Sequence, residues 1–317
     1  MPDPIRLTGD SDDPRPIGMA YWPNVNAHAG RADLLVLVSL ADVLTLLAVD
    51  KASGTVTGRR PLPFRHTGEG CYFSLTDPDV LYVPQPEGLV RYGVASGVTE
   101  TAAYAPGATQ WHSSADGQVH SCSLAGDAAV WHRGGLRRYP VSALDECQID
   151  KGGRWLLIKE GHDNRIVDLE TGLEWTIRNE DGAAGHSDMG YGYMIGEDDY
   201  AEVGGAFRLW TFTEDGPVKG PIVGTLGTWD PMTRYVSHCN AQPGPPEGQR
   251  VLLSSAECGL VAVTIGSPEA VTVAPSLTEP TADYWTQIRA NLDPLGEWAC
   301  WSGYRSGRFD LYLVRIG

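Results

Sequence analysis

One nine-residue stretch, GHSDMGYGY at 185–193, gathers groups able to do chemistry. His186 can carry a proton near neutral pH, and Asp188 can accept hydrogen bonds or face a cation. Tyr191 and Tyr193 offer flat faces suited to a sugar ring, while Gly190 and Gly192 remove side chains where backbone and ligand would approach closely. His186 and Asp188 are two residues apart, a spacing that puts both side chains on one face of a strand. The same polar i, i+2 spacing occurs at Gln110 and His112, Glu146 and Gln148, His238 and Asn240, and Arg289 and Asn291. Buried strands are normally apolar at such positions, so these pairs point to strands that share a polar centre. A second account needs no ligand: a water-filled centre whose polar side chains pair with one another.

The elements that must position these residues are short strands in a repeating order. Apolar runs at 34–40 and 43–49 lead to the turn Asp50-Lys51-Ala52-Ser53-Gly54, and the same Ser/Thr-Gly closure follows the strands before Gly97 and Gly172. Upstream in each unit a strand is followed by a D-G or D-P type turn and an apolar strand, as in QWHSSADGQVHSCSL from Gln110, ECQIDKGGRWLLIK from Glu146 and IRANLDPLGEWACWS from Ile288. Seven units begin near Ile17, His66, Thr109, Ala143, Gly185, Arg234 and Tyr284. A period of about 40–45 residues with four short strands predicts an all-β fold, a seven-bladed β-propeller of four-stranded blades, over a β-sandwich with accidental turn similarity. The last run, 308–316, supplies only the third strand of its unit. Residues 4–7 are expected to complete that blade and close the ring through the two termini. The domain reading is an N-terminal arm at 1–16 and one propeller at 17–317.

These strand–DPxG–strand units resemble the WD40-like repeats of TolB-type propellers. GHSD in one unit followed by SHCN at 237–240 in the next is similar to oligogalacturonate lyases and related propeller polysaccharide lyases. That resemblance implies a carbohydrate-active propeller cleaving uronic-acid-containing oligosaccharides by β-elimination, with an oligosaccharide or small-molecule ligand at the channel mouth. It also implies a divalent metal, such as Mn or Ca, held by His186 and His238, with Gln110 and His112 as further partners. The H-x-H pair of such a metal site is replaced here by Asp188 and Asn240. Elimination requires the substrate carboxylate to be neutralised, the adjacent carbon to lose its proton and the leaving oxygen to gain one. In that chemistry His186 would be the base, Arg289 the neutraliser and Tyr191 an acid, with His112, Asp188, Tyr193 and Asn240 holding substrate.

Composition sets outer limits. The formal net charge of −16, with no Lys/Arg cluster larger than Arg137-Arg138, argues against a general nucleic-acid binder. No run is long enough to span a membrane, and the proline-rich, acidic start has no apolar signal segment, so a soluble cytoplasmic protein is expected. The six cysteines are scattered singly and are expected to be free thiols. P-loop, dinucleotide-binding, GxSxG and HExxH motifs do not occur. The competing reading is a non-catalytic interaction or assembly module with a protein partner, docked through the arm or the polar insertion at 243–248.

Overall fold

Two side-chain-capped turns recur along the chain and fold the strands back in several units. The first joins the innermost strand of a unit to the next. Asp150 Oδ1 accepts the backbone N–H groups of Arg154 and Trp155 at 2.7 and 2.8 Å, and Asp293 Oδ1 does the same for Glu297 and Trp298 at 2.6 and 2.7 Å. Ser114 takes this role in the third unit, its Oγ accepting from Val119 N at 3.0 Å. The second turn joins the two outer strands: Asp50 accepts from the backbone and the hydroxyl of Ser53, both at 2.7 Å, and Gly54 follows at φ +69°, where a side chain would be strained. These bonds satisfy backbone donors that the turns would otherwise leave unpaired.

The computed structural model describes residues 3–15, 23–28, 32–66, 70–226, 242–279 and 286–316, together with the backbone of 234–237. It is a seven-bladed propeller of antiparallel sheets. From the axis outward, blade 1 comprises Val25–Asn26, Asp33–Leu40, Val43–Asp50 and Val56–Arg65, with Pro14–Arg15 also paired to its second strand. Blade 2 comprises Tyr72–Phe73, Val80–Gln85, Gly88–Gly93 and Thr99–Tyr104, and blade 3 comprises Thr109–Ser113, Val119–Leu124, Asp127–His132 and Gly135–Tyr139. Blade 4 comprises Leu144–Ile149, Trp155–Glu160, Asp163–Asp168 and Glu174–Ile177, and blade 5 comprises Ser187–Met189, Tyr193–Asp198, Ala206–Thr213 and Gly216–Thr225. Blade 6 comprises Arg234–Ser237, Arg250–Ser255, Gly259–Thr264 and Ala270–Ala274. A 3-10 turn is formed by Asn179–Asp181.

Blade 7 takes three strands from the end of the chain, Asn291–Leu292, Trp298–Arg305 and Arg308–Arg315, and its outermost strand, Ile5–Arg6, from the beginning. Ile5 faces Leu313 and Arg6 faces Tyr312, so the ring closes through the two termini as the sequence predicts. Leu7 is buried, its N–H bonded to Leu311 O at 2.8 Å, and Arg6 pairs with Asp310 at 2.9 Å. The segment then crosses to blade 1, where both Asp12 oxygens grip Arg59, at 2.7 and 3.0 Å. Deleting residues 1–8 therefore removes the strand pairing and the burial of Leu7, the latter worth roughly 2 kcal/mol by itself. A clearly lower urea midpoint is expected, whereas Arg6→Ala, which loses only half-exposed ion pairs, should move it little.

The apolar cores lie between adjacent blades. Val119, Val130, Cys147, Leu156 and Ile158 fill one such interface, and Met189, Met194, Trp155 and Trp210 another. Cys71, Cys122, Cys147 and Cys300 are buried free thiols, and Cys258 is half-buried and free. Burial alone pushes the Cys71 thiol up to about 12. No helix among the described residues is long and apolar enough to cross a membrane.

Candidate functional site

The innermost strands carry the polar pairs, and where these are described most of their members are engaged by protein partners. Glu146 and Gln148 share a face, Gln148 Nε2 donating to Glu146 Oε1 at 2.6 Å and to the Ser187 carbonyl at 2.9 Å. Glu146 also takes an ion pair from Lys159, whose Nζ lies 2.5 Å from Oε1 although its side chain is only 4% exposed. Asp188 is paired with Lys151 at 3.1 Å, and the same ammonium donates to the Met189 carbonyl, tying the first turn of blade 4 to the inner strand of blade 5. His112 is buried next to this group. Burial holds its imidazole down to about 3, a shift that Lys151 and Lys159 deepen and Glu146 opposes.

His112, Gln148, Lys151 and Asp188 line one cavity of about 30 Å³, together with Tyr72 and Ser113. A void of that size holds about one or two waters and no sugar ring. It sits where the innermost strands end, beside the first turns. Arg289 is not part of its wall; it lies with Asn24 and Asn291 around a separate void of about 20 Å³ between blades 7 and 1. Asn291 accepts from Asn24 N at 3.0 Å and so joins the first and last blades.

His186 precedes the inner strand of blade 5. Its Nδ1 lies 3.5 Å from Glu197 Oε2, and its carbonyl accepts the Glu197 N–H. It does not line either of the two voids described above. Tyr191 is half-buried at the turn, with burial raising its phenol. Tyr193 is fully buried among Ile195, Phe207 and Leu209, which corrects the expectation that its ring meets a ligand. Gly190 has a packing reason: a Cβ there would stand 2.2–2.5 Å from the Tyr193 ring. Gln110 departs from the paired pattern because it sits at φ +51° in a bulge, its side chain accepting from Ser123 Oγ at 2.7 Å. His238 and Asn240 lie outside the described residues.

Sequence reasoning missed Lys151 and Lys159, the cations of this network. The one visible signal was Lys159 itself, a charge inside the otherwise apolar run WLLIK. It also missed a hydrogen-bonded chain leading outward, in which Tyr72 Oη and Ser113 Oγ lie 2.7 Å apart and Ser113 Oγ lies 2.6 Å from His120 Nδ1.

A divalent ion needs several anionic or imidazole donors around one point. Among the described residues no three of His, Cys, Asp or Glu gather that way. The axial carboxylates Asp188 and Glu146 face lysine ammonium groups, so the described donors do not fit a divalent metal.

No protein-family model matches the chain, and no curated protein matches it. Solved structures do, over nearly its full length. An oligogalacturonate lyase in complex with manganese aligns with a TM-score of 0.60 at 12% identity, covering 98% of this chain and 92% of that one. The oligogalacturonate lyase of Vibrio parahaemolyticus aligns at 0.58 and 10% identity, covering 98% and 93%. The β-propeller domain of Cps50 (Swd1) from Myceliophteria thermophila aligns at 0.57 and 11% identity, covering 95% and 99%. The chain shares its seven-bladed fold with all three. One fold thus accommodates a sugar lyase and a WD40 propeller, and at these identities the likeness speaks to architecture alone.

Proposed function

We propose that this chain is a non-catalytic propeller, an interaction module whose axis is a structural plug and whose loops and outer faces meet a partner. The observation that carries this reading is the pairing of Glu146 with Lys159 and of Asp188 with Lys151, which engages these two carboxylates; among the described residues the void beside them is about 30 Å³. A polyuronate lyase would instead present an open centre with unengaged acid–base groups. The acidic chain suits a partner with a basic face. The segment 243–248 is a candidate contact: it is mostly exposed, and Gln242 N donates to Gln249 Oε1 at 3.1 Å across its base. The N-terminal arm is a weaker candidate, since it is part of the ring.

The lyase reading retains the structural likeness to the manganese-bound enzyme as its support. Incubation with oligogalacturonates, with and without Mn²⁺, separates the two by the ultraviolet absorbance of unsaturated products. The interaction reading expects no absorbance change and expects partner binding that survives His186→Ala and is lost on replacing 243–248 by a short glycine turn. Product formation abolished by His186→Ala would overturn it.

A further inference from the structure

A second cavity, away from the axis, has the character of a ligand site. It is a groove of about 360 Å³ between blades 2 and 3, walled by Tyr82, Asp116, Gln118, His120, Trp131 and Arg133. That volume lies at the lower end of the range for small-molecule sites. We infer that this groove binds a single uncharged pyranose ring, a reading that does not depend on the role of the axis.

The polar groups of the groove divide into those already engaged and those left over. Asp77 and Arg91 pair at 3.2 Å, and Asp116 Oδ1 accepts from Ser114 Oγ at 2.6 Å and Gln118 N at 3.1 Å. His120 forms the floor; its Nδ1 is taken by Ser113, and burial holds it down to about 4, so it is neutral at physiological pH. The Arg133 guanidinium, the Gln118 side-chain amide and the Trp131 indole N–H have no hydrogen-bond or ion-pair partner among the described residues. Around one opening there are thus cationic and neutral donors, a free carboxylate oxygen on Asp116 and a half-buried indole.

Ring hydroxyls both donate and accept, and the C–H face of a pyranose is apolar. Asp116 would take protons from adjacent hydroxyls, Arg133 and Gln118 would donate to their oxygens, and Trp131 would cover the apolar face. The charges argue for an uncharged ligand. Asp77 cancels Arg91 and Asp116 balances Arg133, so the groove carries no cationic excess for a phosphate or carboxylate.

The test is saturation-transfer NMR on the full chain with methyl glucoside, galactoside, mannoside and glucuronide. Arg133 lies at φ +51° in a tight turn, so Arg133→Gly relieves backbone strain and should leave the melting temperature equal or higher. Transfer to at least one neutral glycoside is expected at millimolar concentration, with affinity about tenfold weaker or more in Arg133→Gly and in Asp116→Asn. Trp131→Phe, which keeps an aromatic wall, should weaken binding less than Arg133→Gly. Absence of transfer to every neutral glycoside, stronger binding of the glucuronide, or affinities unchanged in both Arg133→Gly and Asp116→Asn would each overturn the assignment.

Discussion

Replacing Glu146 with alanine is expected to destabilise the propeller by roughly 3–5 kcal/mol, because it strands a buried ammonium. Lys159 is 4% exposed and pairs with Glu146 at 2.5 Å, and Gln148 donates to the same oxygen at 2.6 Å. The interior solvates an uncompensated charge poorly, so the loss exceeds that of the bond itself. The double replacement Glu146→Leu with Lys159→Met removes both charges and should recover most of the stability. Urea unfolding of Glu146→Leu, Lys159→Met and the double variant completes a cycle whose coupling energy is expected to be large. Additive single effects would mean that the pair is held apart by water, and the axial plug would lose its physical basis.

Lowering the pH from about 7 to about 4 is expected to weaken the fold through two buried histidines. His112 is held down to about 3 and His120 to about 4, burial being the leading cause for each. Both therefore stay neutral in the folded chain while the unfolded chain takes up protons below the ordinary value of 6.5. Protons then bind preferentially to the unfolded state, and stability falls by about 1.4 kcal/mol per histidine for each pH unit below 6.5. The loss levels off below about 4 for His120 and about 3 for His112. Asp168 acts in a lower window: its bonds to Arg154 hold it at about 2, so its contribution is present above 3.8 and lost as the pH falls toward 2. Unfolding free energies measured between pH 7 and 4 test this, and His112→Asn should flatten the slope by about one proton. A slope left unchanged by His112→Asn would show that the His112 ring is solvated.

Much of the fold was legible because it rests on local rules. Seven unit starts near 17, 66, 109, 143, 185, 234 and 284 correspond to innermost strands beginning at 25, 72, 109, 144, 187, 234 and 291. The turns announced themselves through Asp50 with Gly54 and through Asp150 and Asp293, since a carboxylate capping nearby N–H groups needs only a few consecutive residues. The closing strand at Ile5–Arg6 was legible for a global reason, as the last unit was one strand short and a ring cannot leave that edge open.

The candidate site was legible only as a set of positions. Period-two spacing placed Glu146 and Gln148 on one face, which a strand requires whatever surrounds it. Spacing carries no information on what stands opposite, and that was decided by the ring. Closing seven blades brings Lys151 of one blade to Asp188 of the next and leaves Arg289 beside a different void, while a single bulge at φ +51° turns Gln110 onto Ser123. The stretch at 185–193 shows the division most plainly. The sequence alone determined that an inner strand begins there; the packing of the Tyr193 ring over Gly190, and the pairing of Asp188 with a lysine 37 residues away, exist only because separate blades share one axis and one interior.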